Sequence, residues 1–261
     1  MTDRLDVVRL LDGLPFALMP EAPDVGVAGV RGLKGGMPVP QANLVGLVRL
    51  GSPGADAAIS AVQRVFSDVP YTWVVGPEST PADLGDRLLA AGLSPGPELE
   101  GLVFADWDHV PQAPAGLNVR LAAASDVAAH AEALAAAYGM GMTAAALAAS
   151  MASLLAGPLP TEGYLVWSAE AEAPVGFGTL SWLAPNVALL NGSATVPPFR
   201  GRGAYRALAA ARLDSARQRG AAVVLVAAVA DTAAPICRRL GFSPVCRIRQ
   251  YLGNGALAAS G

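Results

Sequence analysis

A chain of 261 residues, 53% hydrophobic and only 15% charged, has the composition of a folded protein and excludes an intrinsically disordered one. Two cysteines, Cys237 and Cys246, and two histidines, His109 and His130, supply neither a disulfide framework nor a zinc-ligand set, so no metal is expected. The net charge of −3 hides an asymmetry: from Ala173 onward ten arginines stand against Asp214 and Asp231, whereas residues 1–172 hold the other eight bases and nineteen acids. The second part should therefore attract an anion. Nucleic acid is disfavoured as that anion, because the overall balance is acidic and no row of aromatics interleaves the arginines.

The opening stretch, "MTDRLDVVRLLDG", carries acids and bases in its first turns and lacks an apolar core with a cleavage site, so a cytoplasmic location is expected. The first 40 residues match no pattern. "NLVGLVRL" (43–50) reads as a strand, residues 55–67 as a helix with Ile59, Val62 and Phe66 on one face, and "YTWVVG" (71–76) as a strand. "TPADLGDRLLAAGL" reads as a helix capped by Thr80 with Pro81 in its first position. "DHVPQAPAGLN" (108–118) is a connector, which sets expected domains at 1–112 and 117–252.

In the second half, "LNVRL" reads as a strand, 125–138 and 143–155 as helices, and "GYLVWSA", "PVGFGTLSWL" and "VALLNGSATV" as successive strands. The uncharged run from Ala133 to Thr161 is long enough to cross a bilayer, but "GMGM" and "GPLP" interrupt it and no basic cluster flanks it. Two buried helices with a break fit better, and no membrane contact is expected. "GMGMTA" (139–144) matches G-x-G-x-x-A but follows a helical stretch, so it reads as that break.

"VPPFRGRGAYRAL" (196–208) then leads into a helix with Tyr205, Leu208, Ala209, Leu213 and Ala216 on one stripe, stopped by Gly220. The unpaired N–H groups at a helix start, with its dipole, favour phosphate. Gly201 and Gly203 bare the backbone for an anion, Arg200, Arg202 and Arg206 add attraction, and a diphosphate suits the site. The alternative is an ordinary loop with solvated arginines. "AVVLVAA" (222–228) is apolar without alternation, as in a parallel strand buried on both faces. A short helix capped by Asp231 or Thr232 follows, ending at Arg238, Arg239 and Gly241, and then a last strand, "VCRIRQYL". "RLLAAGLSPGPELEGLVF" aligns with "ICRRLGFSPVCRIRQYL" as a weak internal repeat, while "GSPGADA" (51–57) has lost the arginines of the second loop.

These residues carry a resemblance. Residues 117–252 resemble the GNAT acyltransferase superfamily, whose signature (Arg or Gln)-x-x-Gly-x-(Gly or Ala) is matched by Arg200 and Gly203, with Tyr205 where Gly or Ala is usual. "APICRRLGF" resembles a second family element, with Cys237 in its tyrosine slot. The whole chain is similar to tandem GNAT proteins. The resemblance implies an α/β fold (α+β, mixed sheet) of two GNAT-like domains in tandem, with a degenerate amino-terminal copy. It also implies acetyl-CoA as acyl donor, its pantetheine arm along Ala194, Thr195 and Val196 and its pyrophosphate on Arg200, Gly201, Arg202, Gly203, Ala204, Tyr205 and Arg206.

An amine acceptor would attack the thioester directly, with a proton returned to the departing thiolate. Cys237 is a candidate donor of that proton; the alternative is a small buried residue. Asn191, Ser193 and Thr195 alternate along one strand face and are candidates to hold a water that deprotonates the amine, or else complete polar packing. Tyr251 reads as an interfacial tyrosine within reach of the cleft, and His130 as structural. Trp73, Trp107, Trp167 and Trp182, each in a strand-like stretch, read as core rather than as a substrate cage. A small-molecule amine is expected over a protein tail, because no acidic run marks the second half; a homodimer is left open. Competing readings are a non-catalytic acyl-CoA binder or sensor and, more weakly, a nucleotide-binding regulator.

Overall fold

The computed structural model describes residues 4–18, 24–35, 39–138 and 143–255. The expected break at 139–142 lies outside the described residues. In chain order the elements are α1 (Arg4–Ala17), β1 (Arg31–Lys34), β2 (Asn43–Gly46), α2 (Ser52–Val65), β3 (Tyr71–Val75), α3 (Leu84–Ala90), β4 (Ser94–Pro95) and β5 (Leu99–Phe104). There follow β6 (Leu117–Ala122), α4 (Ala124–Ala129), α5 (Ala131–Tyr138), α6 (Ala144–Leu155), β7 (Thr161–Ser168), β8 (Gly176–Ala184) and β9 (Val187–Thr195). The chain ends with α7 (Ala204–Gln218), β10 (Val223–Val229), α8 (Ala233–Arg239) and β11 (Ser243–Gly253). The class is mixed α/β, as expected, and no described helix is long and apolar enough to cross a membrane.

Two compact units emerge, and they are not consecutive in sequence. Residues 103–226 and 236–243 make a carboxy-terminal unit, whereas residues 4–102, 227–235 and 244–255 make an amino-terminal one. The simple division at 112–117 therefore differs from the structure: strand pairing draws β11 to β3 and β4, both in the first half of the chain.

In the amino-terminal unit β1 pairs antiparallel with β2, β2 parallel with β3, and β3 antiparallel with β11. All five residues of β3 are buried, as a two-sided strand requires. The expected strand 43–50 ends early because Leu47 takes φ 48°, in the left-handed region; beyond it, Thr80 donates its N–H to the Val48 carbonyl and accepts from Leu50. Thr80 is thus backbone-paired rather than a cap, the Thr80–Pro81 peptide is cis, and α3 starts only at Leu84. Tyr251 of β11 is buried in this unit's core with Trp73, Val62 and Leu84.

The carboxy-terminal unit carries an antiparallel run β6, β7, β8, β9, with β10 parallel to β9 as its lack of alternation implies. Val127, Leu134, Leu147 and Met151 of α4, α5 and α6 pack on Leu165 and Phe177 from one side. The single helix expected over 125–138 is broken at His130, which ends α4 and lies edge-on to Trp167 with centroids 5.1 Å apart. Trp107 departs from its expected strand: it lies in a turn and donates its indole N–H to the Ala222 carbonyl at 3.0 Å. Trp73, Trp167 and Trp182 lie in strands.

Candidate acyl-transfer site

Strand β9 builds one wall of the site. Its parallel register with β10 runs from Val187–Val223 to Leu189–Leu225, and from Asn191 to Thr195 every residue is only half-buried. On its other side β8 pairs along the strand, but the register shifts between Phe177 and Thr179. Gly192 causes the shift: with φ 59° it forms a bulge of a kind glycine favours. Tyr138 donates its hydroxyl to the Gly192 carbonyl at 3.1 Å and so fastens the end of α5 to the bulge.

The bulge corrects the expected alternation. Phe177 and Thr179 share a sheet face, and their cross-strand partners are Ala194 and Asn191. Asn191 therefore shares a face with Ala194, opposite Ser193 and Thr195. Ser193 turns toward α7, where its Oγ accepts from Arg212 Nη1 at 2.8 Å. The structure does not bring Asn191 and Ser193 to one water site, because one extra residue reverses the phase of the strand.

The loop after β9 fixes the start of α7. Gly201 and Gly203 have φ 73° and 88°, in the left-handed region that favours glycine. Around them the space differs: a Cβ at Gly201 points into the open, whereas one at Gly203 would meet Pro114 Cγ at 2.7 Å. The missing side chain at Gly203 thus makes room for Pro114. No side chain caps α7, so its first N–H groups remain available to an anion.

The three loop arginines all have internal partners. Arg200 donates to the carbonyls of Thr195 and Ala137, tying β9 to α5; Arg206 donates to that of Gln112. Arg202 pairs with Glu170 and stacks on Phe199, at the edge of a cavity of about 160 Å³ also lined by Leu117, Ser168 and Ala204. A pyrophosphate would meet backbone N–H groups first and arginines second. The residues present fit such a group: an uncapped 15-residue helix behind a two-glycine loop.

Tyr205 and Cys237, the two departures from the family pattern, touch each other. The Tyr205 hydroxyl and Cys237 Sγ lie 3.3 Å apart, and the ring turns toward α8 rather than narrowing the loop. Cys237 is fully buried, and burial pushes its thiol up, against the hydrogen bond from Tyr205 and the charge of Arg212. Burial likewise raises the Tyr205 phenol.

Arg212 was absent from the candidates. It is fully buried, donates to the carbonyls of Leu208 and Thr179 and to Ser193, and leaves Nη2 without a partner. A signal for it existed: 212 lies four residues after Leu208 and four before Ala216, on the stripe that α7 buries.

Residues 131–242 match the model of the Acetyltransferase (GNAT) family. A GCN5-related N-acetyltransferase from Kribbella flavida superposes with TM-score 0.72 at 20% identity, over 97% of this chain and 98% of its own. Another from Sphaerobacter thermophilus gives 0.66 at 16%, over 97% and 93%. A tandem GNAT protein from the clavulanic acid biosynthesis pathway gives 0.58 at 17%, over 87% and 78%. No curated protein matches. At these identities the structures establish the fold.

Proposed function

We propose that this chain, whose residues 131–242 match the model of the Acetyltransferase (GNAT) family, moves an acetyl group from acetyl-CoA to a primary amine of a small-molecule acceptor. The observation that supports the reading is the run of half-buried β9 residues, bulged at Gly192, that leads directly into the uncapped start of α7. Backbone groups of Ala194, Thr195 and Val196 would hold the pantetheine arm, and the N–H groups from Gly201 to Arg206 the pyrophosphate. Bound acetyl-CoA would supply the acyl group and a thiolate leaving group. Cys237, hydrogen-bonded to Tyr205, holds a proton for that sulfur. Asn191 is the polar side chain on the Ala194 face that remains to orient a water toward the amine, since Ser193 is committed to Arg212.

The amino-terminal unit is a degenerate copy in this reading. Where the second unit has half-buried β9 residues, Val48 and Leu50 are already hydrogen-bonded to Thr80, and α2 opens on Ser52 and Pro53 with no arginine. One observation favours the alternative of a non-catalytic acyl-CoA sensor: Cys237, the candidate acid, is buried and engaged. Turnover decides between them. Incubation with acetyl-CoA and a panel of primary amines should release coenzyme A thiol only when an amine is present. Binding without release across the panel would leave the sensor.

A further inference from the structure

Among the described residues Arg212 is a fully buried guanidinium without an ion pair, and its neighbours include Ser193, Tyr205 and Cys237. Arg212 Nη1 lies between the Thr179 carbonyl, 3.1 Å away, and Ser193 Oγ, 2.8 Å away. It reaches β8 and β9 only because position 178 is glycine: a Cβ there would come within 2.8 Å of Nη1 and 2.9 Å of Ser193 Oγ. Nearby Glu162 does not neutralise it, being bound to Arg219, Tyr164 and Ser215. The side chains that feel Arg212's charge are Tyr164 on β7, Tyr205 on α7 itself and Cys237 on α8, all neutral in their ordinary states. Burying a lone cation is costly, and arginine does not escape the cost by losing its proton. Such a charge calls for an anion that arrives later.

We propose that Arg212 is an electrostatic positioning residue, placed under the β9 bulge to stabilise negative charge on a coenzyme A sulfur. The inference rests on the acyl-transfer reading above. In that reaction the amine nitrogen bonds to the acyl carbon, the C–S bond breaks with its electron pair going to sulfur, and the amine sheds a proton to water. The sulfur would leave as a thiolate, in this proposal within the field of Arg212. A fixed, water-excluded positive charge favours that state over the neutral thioester.

The test reads the sulfur directly and needs no turnover. Coenzyme A bound to the full-length protein is titrated by thiolate ultraviolet absorbance, with the complex of desulfo-coenzyme A as the blank that cancels the protein's own tyrosines and cysteines. The bound thiol should titrate lower than free coenzyme A by about one pH unit or more. Arg212→Met should abolish that shift, and Arg212→Lys, whose buried ammonium can lose its proton, should reduce it. A wild-type thiol that titrates at or above the free value overturns the proposal, as does a folded Arg212→Met protein whose bound thiol titrates as low as in the wild type. If Arg212→Met does not fold, the wild-type and Arg212→Lys titrations still decide. Failure of coenzyme A to bind at all would instead overturn the transferase reading on which the proposal stands.

Discussion

Tyr205 and Cys237 show how two substitutions that look unrelated in sequence become one contact. Each departs from the family pattern, and they are separated by 31 intervening positions, yet the hydroxyl and sulfur lie 3.3 Å apart. With Cys237 fully buried and in contact with the Tyr205 hydroxyl, a tyrosine at 237 would compete with that ring for space. Cys237→Tyr alone should lower stability by about 1–3 kcal/mol through overpacking. The double variant Tyr205→Ala with Cys237→Tyr should recover most of that loss, and thermal unfolding of the three proteins measures the coupling; simple additivity of the two changes would sever the proposed link. The sequence made both departures visible but not their proximity, because contact between α7 and α8 depends on packing. Arg212 was hidden for a different reason. An arginine on an apolar helical stripe is ordinarily read as the stripe's edge, and only the glycine at 178 shows that the sheet leaves a place for its head group.

Among the elements, β9 and α7 were legible because their signals are local: an apolar run, glycines, then a helical stripe closed by Gly220. The bulge was not, since alternation of Asn191, Ser193 and Thr195 looks regular until the partner strand fixes the register. Gly192→Ala has room for its methyl, whose nearest neighbour would be the Tyr138 hydroxyl at 3.5 Å, but must hold φ 59°. It should cost about 1–2 kcal/mol if the backbone is kept, and weaken acetyl-CoA binding if the bulge relaxes. Comparing its unfolding curve with its binding isotherm checks both effects; unchanged stability and binding would show that the bulge is not needed. Between β7 and α7, Glu162 acts as a clamp. Burial pushes its carboxyl up, but hydrogen bonds from Tyr164, Ser215 and Arg219, with the charge of Arg219, more than offset this and hold it below the ordinary carboxylate range. A depressed folded-state pKa adds stability above the unfolded value, lost as pH falls through the folded one. Melting temperature should therefore drop on acidification below the ordinary carboxylate range, and Glu162→Gln should flatten that part of the profile. An identical acid limb in the variant would assign the loss to other groups.

At the scale of the whole chain, the charge asymmetry counts arginines that the fold already engages. Several of the ten carboxy-terminal arginines serve the protein itself: Arg212 is buried, Arg202 and Arg219 pair with Glu170 and Glu162, and Arg200 and Arg206 hold backbone carbonyls. The backbone at the start of α7 remains the principal feature for an anion. The domain division was legible only in part, because no periodicity tells that β11 pairs with β3. Gly203, crowded by Pro114, is a poor place to test the site, whereas Gly201 faces open space and aspartate tolerates the left-handed backbone it requires. The most direct measurement is the shift in thermal unfolding with acetyl-CoA for the wild type and Gly201→Asp. At roughly 100 times its dissociation constant the ligand should stabilise the wild type by about 2.7 kcal/mol, and a folded Gly201→Asp protein should lose most of that gain. A wild type that does not shift, or a variant that shifts just as far, would contradict a cofactor site at the mouth of α7.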